Sequence, residues 1–425
     1  MAPGKKTLVA ALAAAATLAL VWLVLNLSLG DKQIDTRLTR LYSVSDPQFV
    51  RVMSVLFGPA LVAGNHVQPL RNGDEIFPSM LGAIGSAKHT ITFETYIFWS
   101  GSIGREFADA LVERVKKGVK VHILLDWIGG QLEDPLLARM AQSGIEISRY
   151  NTPQWNNLHR LNNRTHRKLL VVDGQTGFIG GVGIADSWRG HAQDPQHWRD
   201  THFRVEGPVV AQMQSAFIDN WMQATGDVLH GKPYLPDLAA AGSQSAQVFT
   251  SSPGGGAESM QLMYLLSITA ATRTIRLSAS YFVPDNVAVN TLVAALGRGV
   301  KVQIILPGPH MDVQLVRRAS RAQWEKLLVA GAEIYEYQPT MYHVKAMIVD
   351  DLWVSVGSTN FDTRSFSIND EANLNVHDAA FAQRQTAIFQ DDLKHSRRIT
   401  LEEWKNRPWL DKAFDFGASL LSSQL

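Results

Sequence analysis

Cysteine is absent from this chain of 425 residues. Its absence excludes disulfide bonds, thiolate nucleophiles and zinc sites built from thiolates. An excess of charge is absent too, because 40 basic and 39 acidic side chains leave a formal net charge of +1. No overall basic field therefore indicates a nucleic-acid partner. A chain without cysteine folds in oxidising and reducing compartments alike, so composition does not locate it.

Charge is also missing from one long segment near the N-terminus. The 23 residues from Thr7 to Leu29 carry no charged side chain. A helix rises about 1.5 Å per residue, so this length crosses a hydrocarbon layer of ~30 Å. A cleaved signal peptide is the alternative, but its apolar region is usually about 7–15 residues long. The sequence predicts a single-pass membrane anchor, residues 1–30. Basic residues flank it on both sides, so they do not decide which way the rest of the chain faces.

Beyond the anchor and a juxtamembrane connector, residues 31–66, the same order of elements occurs twice. Three pairs of segments match: TITFETYIFW with TIRLSASYFVPD, GVKVHILL with GVKVQIIL, and GIEISRY with GAEIYEY. Strand patterns alternate with helix patterns, which is typical of an α/β layered fold with a largely parallel sheet. The sequence predicts two domains of usual size, residues 67–240 and 241–400.

The last residues, 401–425, form an amphipathic tail in which tryptophan, phenylalanine and leucine stand among scattered charges. Such a segment either docks as a helix on the second domain or lies in a membrane interface. The sequence leaves both possibilities open.

Each domain contains one short motif in which histidine is followed by lysine two residues later and aspartate seven residues later. The copies are HRKLLVVD, from His166, and HVKAMIVD, from His343. Side chains alternate along a strand, so each histidine should share a face with its lysine, Lys168 or Lys345. A histidine beside a fixed cation is suited to handling a phosphate. Two such half-sites in a duplicated domain can meet in one cleft between the halves.

These paired motifs resemble the HxKxxxxD motifs of the phospholipase D superfamily. The resemblance covers both halves, residues 67–394. Several further segments resemble the bacterial cardiolipin synthase branch: ETYIF, GVKV, RKLLVVDG, GGVGIAD, WRDTHFRVEGPVV, YFVPD and NFDTRSFSINDE. The resemblance implies duplicated phospholipase D-like domains, each a mixed, largely parallel β-sheet flanked by helices. It also implies a place in the bacterial inner membrane.

The resemblance implies a two-step mechanism through a phosphohistidine. His166 would be the nucleophile and His343 the general acid and base, although the reverse order is open. Lys168 and Lys345 would neutralise the phosphate oxygens, and neither a metal nor a cofactor is implied.

Carboxylates complete the implied catalytic set. The family motif includes Asp173 and Asp350, but their opposite strand parity predicts that they anchor the motif loop. Asp200 and Glu371 follow the two histidines at equivalent places of the repeat. We expect each of them to orient the histidine that precedes it.

Smaller and basic residues supply the remaining candidates. Ser358 and Asn360 resemble the phosphate-binding GSxN segment of the family. In the first copy Gly181 and Gly183 stand at those places. The resemblance implies that Gly181 still belongs to the phosphate-binding segment, whereas Gly183 lacks the amide side chain and so loses one contact to the phosphate or the backbone. A basic group around the start of the first motif is a candidate for the lipid headgroup: Arg160, Arg164 and Arg167. A second basic group forms either a solvated helix face or another headgroup contact: Arg317, Arg318 and Arg321.

The resulting hypothesis is a membrane-anchored phosphatidyltransferase. It would move a phosphatidyl group from phosphatidylglycerol to a second phosphatidylglycerol or another alcohol. Hydrolysis of phospholipids is the main alternative, followed by a nuclease or a lipid-binding protein with weakened catalysis. The expected partners are an anionic phospholipid and a membrane, with no nucleic acid.

Overall fold

A single sheet of 15 strands runs through both halves of the protein in a computed structural model of the chain. The structure describes residues 4–27, 38–131, 134–152, 162–253 and 259–422. The elements up to the middle of the chain are α1 (Lys5–Leu27), α2 (Pro47–Leu56), β1 (Val62–Arg71), α3 (Asn72–Ser86), β2 (Thr90–Thr95), α4 (Ser102–Lys116), β3 (Lys120–Asp126), α5 (Asp134–Gln142), β4 (Glu146–Tyr150), β5 (Leu169–Val172), β6 (Thr176–Gly180), β7 (Thr201–Glu206) and α6 (Val210–Thr225).

The second part of the chain continues the same pattern. Its elements are β8 (Gln244–Ser251), α7 (Met260–Ala270), β9 (Thr274–Ser278), β10 (Phe282–Val283), α8 (Asn286–Gly297), β11 (Lys301–Pro307), α9 (Gln314–Ala322), α10 (Trp324–Val329), β12 (Glu333–Tyr337), β13 (Ala346–Val349), β14 (Trp353–Gly357), β15 (Phe361–Asp362), α11 (Thr363–Ser367), β16 (Glu371–His377), α12 (Ala379–Lys394), β17 (Ser396–Ile399), α13 (Leu401–Asn406) and α14 (Trp409–Ser419).

The strand order confirms the predicted duplication. From one edge to the other it is β17-β12-β11-β9-β13-β14-β16-β8-β1-β7-β6-β5-β2-β3-β4. The two halves therefore follow the same order outward from the β8–β1 pair in the middle, with β17 added at one edge. This arrangement relates the halves by an approximate twofold axis and brings both motif strands, β5 and β13, into one continuous sheet.

The sheet is mixed, and the prediction of a largely parallel sheet was wrong. In this sheet only the outer strands of each half pair in parallel, β3 with β2 and β4, and β11 with β9 and β12. The motif strands and their successors pair antiparallel. The reason is a tight turn after each motif, where Asp173 and Asp350 both have φ of 53°. A short hairpin can join only antiparallel strands.

Part of the predicted connector belongs to the folded core. The side chains of Phe49 and Met53 in α2, and of Phe57 directly after it, are fully buried in the cluster that also forms the core of the second half. The ring of Phe49 meets that of Trp353 edge-on at 5.0 Å. The first half then begins at β1, slightly before the predicted boundary. Residues 38–61 therefore tie the start of the chain to the second domain.

The predicted membrane anchor coincides with α1 over most of its length. Its apolar side chains are exposed, as Leu8 and Leu18 show at 54% and 70%. Across the described residues, no helix combines the length and apolar character that crossing a membrane requires. Residues 1–3 and 28–30 of the predicted anchor lie outside the described residues, and the anchor stays a prediction.

The C-terminal tail is docked on the second half. The carboxylate of Asp415 on α14 is buried and accepts a hydrogen bond from Arg407 at 3.1 Å. Arg318 and Arg321 on α9 lie 3.7 and 3.6 Å from the same carboxylate, and Arg317 lies 2.5 Å from Glu336. The second basic group is therefore neither a solvated face nor a headgroup contact, because its charges are used inside the protein.

Candidate active site

The two motif histidines stand just before β5 and β13, where the carboxyl ends of the parallel strands open into a cleft. Segments that follow β2, β3 and β9 line the same cleft. Its volume is about 410 Å³. The aromatic and charged side chains in its wall are Tyr96, Trp99, Arg164, His166, Lys168, Trp188, Trp198, Tyr281, Asp312, His343, Asp362 and Arg364. Both predicted half-sites thus meet in one place.

The carboxylate partners are exchanged between the halves. Nδ1 of His166 lies 2.9 Å from a carboxylate oxygen of Glu371, and Nδ1 of His343 lies 2.7 Å from one of Asp200. The expectation that each carboxylate serves the histidine of its own half was wrong. Backbone contacts explain the exchange. The amide of His166 donates to the carbonyl of Asp370, and that of His343 donates to the carbonyl of Arg199, each at 2.8 Å.

The motif aspartates lie at the other end of their strands, away from the cleft. Asp173 accepts hydrogen bonds of 2.7–2.9 Å from the backbone amides of Lys88, His89 and Thr90. Asp350 accepts bonds of 2.8 Å from those of Thr272, Arg273 and Thr274. The two aspartates thus tie each motif strand to the start of the strand beside it. Their place in the catalytic set was wrong, whereas the anchoring predicted from strand parity agrees with these contacts.

The two carboxylates are held by different groups. The hydroxyl of Ser358 donates to Glu371 at 2.5 Å, so it does not point at the cleft as a free phosphate donor. Nε1–H of Trp188 donates to Asp200 at 3.1 Å. A Cβ at Gly181 would stand 2.7 Å from the same carboxylate. Each carboxylate thus accepts one side-chain hydrogen bond, Asp200 from the indole of Trp188 and Glu371 from the hydroxyl of Ser358. Glycine at position 181 leaves room for the carboxylate of Asp200.

The departure at Gly183 also has a steric cause. A Cβ there would lie 2.7 Å from Cβ of Ile97, so the space of a larger side chain is already occupied. Its counterpart Asn360 lines the cleft. The two halves are therefore unequal, with an amide side chain on one side and an isoleucine on the other.

Both lysines are buried beside their histidines. Nζ of Lys168 donates to the carbonyl oxygen of His166 at 2.7 Å. Nζ of Lys345 donates to Oγ of Ser280 at 2.6 Å. Burial lowers the pKa of Lys168 to about 7 and that of Lys345 to about 8. A phosphate anion bound beside these lysines would raise their pKa values again, because it stabilises their charged form.

Both histidines are neutral near pH 7. Burial lowers the pKa of His166 to about 4 and that of His343 to about 3. Burial opposes the charged form of Asp200 and Glu371 as well, but the neighbouring histidines and lysines outweigh it and lower the pKa of both carboxyls. With an ionised partner at Nδ1, each histidine carries its proton there, and Nε2 is left as the free base.

Aromatic rings surround the two histidines unequally. The ring of His343 lies 5.2 Å from that of Trp188 and 5.5 Å from that of Trp198. The ring of His166 meets Tyr96 at 5.4 Å. No role was predicted from the sequence for Tyr96, Trp198 or Ser280. Their position shortly after a strand, for Tyr96 and Ser280, or at the start of the WRDTHF segment, for Trp198, was the available signal.

The arginines predicted to contact the lipid headgroup do not all lie in the cleft. Arg160 lies outside the described residues. Arg164 lines the cleft and stacks over the ring of Trp127 at 5.5 Å. Arg167 is fully buried and donates to the carbonyl of Ala216 at 2.8 Å, so its prediction as a headgroup contact was wrong. Arg364, which the sequence did not single out, lines the cleft instead.

Comparison with known proteins agrees with this geometry. Residues 80–221 and 264–393 match the family model described as cardiolipin synthase, PLD-like domain. The chain is 32% identical to the cardiolipin synthase of Alkalihalophilus pseudofirmus, over 84% of this chain and 71% of that one. It is 33% identical to the major cardiolipin synthase ClsA of Bacillus subtilis, over 81% and 73%. With cardiolipin synthase A of Pseudomonas syringae the identity is 33%, over 83% and 74%.

A solved structure shares the fold. The phosphatidylserine synthase of Haemophilus influenzae superimposes with a TM-score of 0.69 at 15% identity, covering 88% of this chain and 99% of that one. At such identity the likeness concerns the fold alone. The matched family model covers more than half of the chain, and both of its matches contain one of the half-sites. The chain therefore belongs to the phospholipase D superfamily, in its cardiolipin synthase branch, and is an enzyme of that superfamily.

Proposed function

We propose that the protein transfers a phosphatidyl group from phosphatidylglycerol to a second phosphatidylglycerol, forming cardiolipin and releasing glycerol. One observation supports this most directly. Two histidines, each paired with a carboxylate of the opposite half, face a single cleft that Lys168 also lines, and Lys345 is buried directly beside His343. The choice of lipid rests on the names of the similar proteins, which are cardiolipin synthases. The proposed site of action is the bacterial inner membrane, with residues 1–30 as the anchor.

In the first step Nε2 of His166 attacks the phosphorus atom. A P–N bond forms and the bond from phosphorus to the glycerol oxygen breaks, while His343 gives a proton to that oxygen. The anionic phosphodiester brings a negative charge close to His343, which raises its pKa and lets it carry this proton. Lys168 and Lys345 stabilise the charge on the remaining oxygens.

In the second step the acceptor hydroxyl loses its proton to His343 and attacks the same phosphorus. The new P–O bond forms as the P–N bond breaks, and His166 returns to its starting state. Lys345 lies 3.3 Å from Nε2 of His343, and this cation is the second cause of its low pKa after burial. The more acidic histidine is the better proton donor and the more basic one the better nucleophile, which supports the assignment of these roles.

A product analysis tests the proposal. Purified protein is incubated in mixed micelles with phosphatidylglycerol. The lipid is labelled in its phosphatidyl group in one reaction and in its headgroup glycerol in another. We expect labelled cardiolipin and one released glycerol per cardiolipin formed. Phosphatidic acid as the only lipid product would show hydrolysis and contradict the transfer. A plasmid in a parallel reaction should remain intact, and its cleavage would indicate a nuclease.

A further inference from the structure

The helix α14 has its polarity reversed relative to an ordinary surface helix. Its carboxylates point inward, with Asp415 buried and Asp411 half-buried. Its large apolar side chains point outward and are between 48% and 74% exposed, together with those of the turn that follows: Trp409, Leu410, Phe414, Phe416, Leu420 and Leu421. A helix on the surface of a soluble protein turns its apolar side toward the core. Something apolar is therefore needed on the outer side of α14.

Ion pairs fix the helix in this orientation. The carboxylate of Asp415 lies within 4 Å of Arg318, Arg321 and Arg407. Arg318 also lies 3.4 Å from Asp411. A buried carboxylate that lost these arginines would be left as an unpaired charge, so the helix does not rotate to hide its apolar side. The exposed apolar face is thus part of the folded structure.

The inner side of α14 packs beside the mouth of the cleft. Ala418 of α14 packs in one cluster with Met311 and Val316, and Val316 lines the cleft. Val313, directly before α9, and Leu315, in its first turn, are 39% and 42% exposed.

The opposite side of the mouth is apolar as well. Trp99 and Ile128 line the cleft and are 37% and 40% exposed. Exposed apolar side chains thus flank the entrance on both halves of the protein. Patches of this extent mark surfaces that bind a partner.

We infer that the outer face of α14 and the rim of the cleft lie in the interfacial layer of a phospholipid bilayer, so that a lipid enters the cleft without crossing water. Trp409, Phe414 and Phe416 are residue types that favour this layer. Lys412, exposed on the same helix, supplies positive charge for anionic headgroups. The inference rests on the proposed function only for the identity of the lipid.

The absence of cysteine allows a direct test of depth. A single cysteine at position 420 (Leu420→Cys) is labelled with an environment-sensitive fluorophore in the full chain. The matched control is Lys116→Cys. Lys116 ends α4, which runs back from the carboxyl end of β2 to the start of β3 and therefore finishes away from the mouth. Both labelled variants keep the predicted anchor, so both would bind to vesicles. The experiment therefore measures how deeply the labelled position enters the bilayer, since binding of the whole chain would not distinguish the two variants.

Vesicles contain equal parts of phosphatidylglycerol and phosphatidylcholine, with or without a nitroxide on the headgroup. We expect the label at position 420 to shift to the blue and to be quenched at least twofold by the nitroxide, and the label at 116 to do neither. Equal behaviour at both positions would overturn the inference. A blue shift without vesicles that does not change when they are added would mean that a second protein molecule covers the face, which also overturns it.

A kinetic comparison separates this inference from the proposed function. In the double variant Phe416→Asp/Leu420→Asp we expect turnover of bilayer phosphatidylglycerol to fall about tenfold, because charge opposes entry into the interface. Turnover of a short-chain phosphatidylglycerol, monomeric in solution, should match that of the unaltered protein. Equal losses on both lipids would contradict the inference. If the unaltered protein turned over neither lipid, the proposed function would fail, while the fluorescence would still report on docking.

Discussion

Glu371 belongs to the second half of the chain, yet its carboxylate lies 2.9 Å from Nδ1 of His166 in the first half. Asp200 and His343 form the reciprocal pair at 2.7 Å. Neither half therefore contains a complete histidine–carboxylate pair. The catalytic unit exists only where the two halves meet, which gives the duplication a functional reason as well as a structural one.

The two histidines should differ in a trapping experiment. His166→Ala should abolish the covalent phosphoenzyme that rapid denaturation at neutral or mildly alkaline pH traps during turnover, because the P–N bond can no longer form. His343→Ala should retain trapping but reduce kcat by about 10³-fold or more, since protonation of the leaving oxygen is lost. Trapping that survives His166→Ala and disappears in His343→Ala would reverse the assignment.

The exchanged carboxylates should act on the rate and leave the fold intact. Glu371→Gln and Asp200→Asn keep the shape but lose the charge that holds the histidine tautomer, so kcat should fall about 10³-fold. The double variant should lose less than the product of the two factors, because both carboxylates serve one reaction. Circular dichroism and the urea midpoint serve as the control for folding. Full additivity would argue that the two pairs act independently.

The motif aspartates should show the opposite behaviour. Asp350→Asn removes the charge from a carboxylate that accepts four hydrogen bonds, three from backbone amides and one from the hydroxyl of Thr272. We expect a loss of unfolding free energy of about 2 kcal/mol, with kcat of the folded fraction within about twofold of normal. Asp173→Asn is the matched variant in the first half. A large loss of kcat with unchanged stability would place these residues back in the catalytic set.

Restoring the family residue at position 183 should harm the protein. The Cβ of Gly183→Asn would meet Cβ of Ile97 at 2.7 Å, so we expect a destabilisation of about 2 kcal/mol in urea unfolding. Trimming the neighbour in the double variant Gly183→Asn/Ile97→Ala should recover part of that loss. If the single variant were as stable as the parent, the steric explanation for glycine at this position would be wrong.

Stability should fall as the pH is lowered from about 6.5 to about 4. Burial lowers the pKa of His166, His202 and His343 to between about 3 and 4, from the ordinary value of 6.5. In this window the unfolded chain binds more protons than the folded one, so unfolding becomes easier as pH falls. Each histidine should lower the free energy of unfolding by about 2 kcal/mol at pH 5 relative to pH 7.

Urea unfolding at a series of pH values measures this dependence. His202 is the suitable probe, because both of its ring nitrogens are buried without a hydrogen-bond partner among the described residues. His202→Gln should remove about a third of the pH dependence. A dependence of unchanged size would show that His202 titrates normally in the folded protein.

Repetition made much of the protein predictable. Two copies of the His-Lys-Asp spacing identified the half-sites, and the order of matching segments identified the duplication, because equal local sequences form equal local structures. Strand parity was enough to separate Asp173 and Asp350 from the cleft, since it depends only on alternation along one strand. The amphipathic tail was recognised, but the sequence did not say on which side its apolar residues would lie.

Contacts between distant parts of the chain decided the rest. The sequence by itself determined that His166 and His343 each stand beside a lysine, and that Asp200 and Glu371 occupy equivalent places. Only the tertiary structure exchanged the carboxylates, buried Arg167 away from the cleft, filled the space beside Gly183 with Ile97 and turned the aspartates of α14 inward. Each of these depends on which surfaces the folded halves press together, and spacing along the chain carries no information about that.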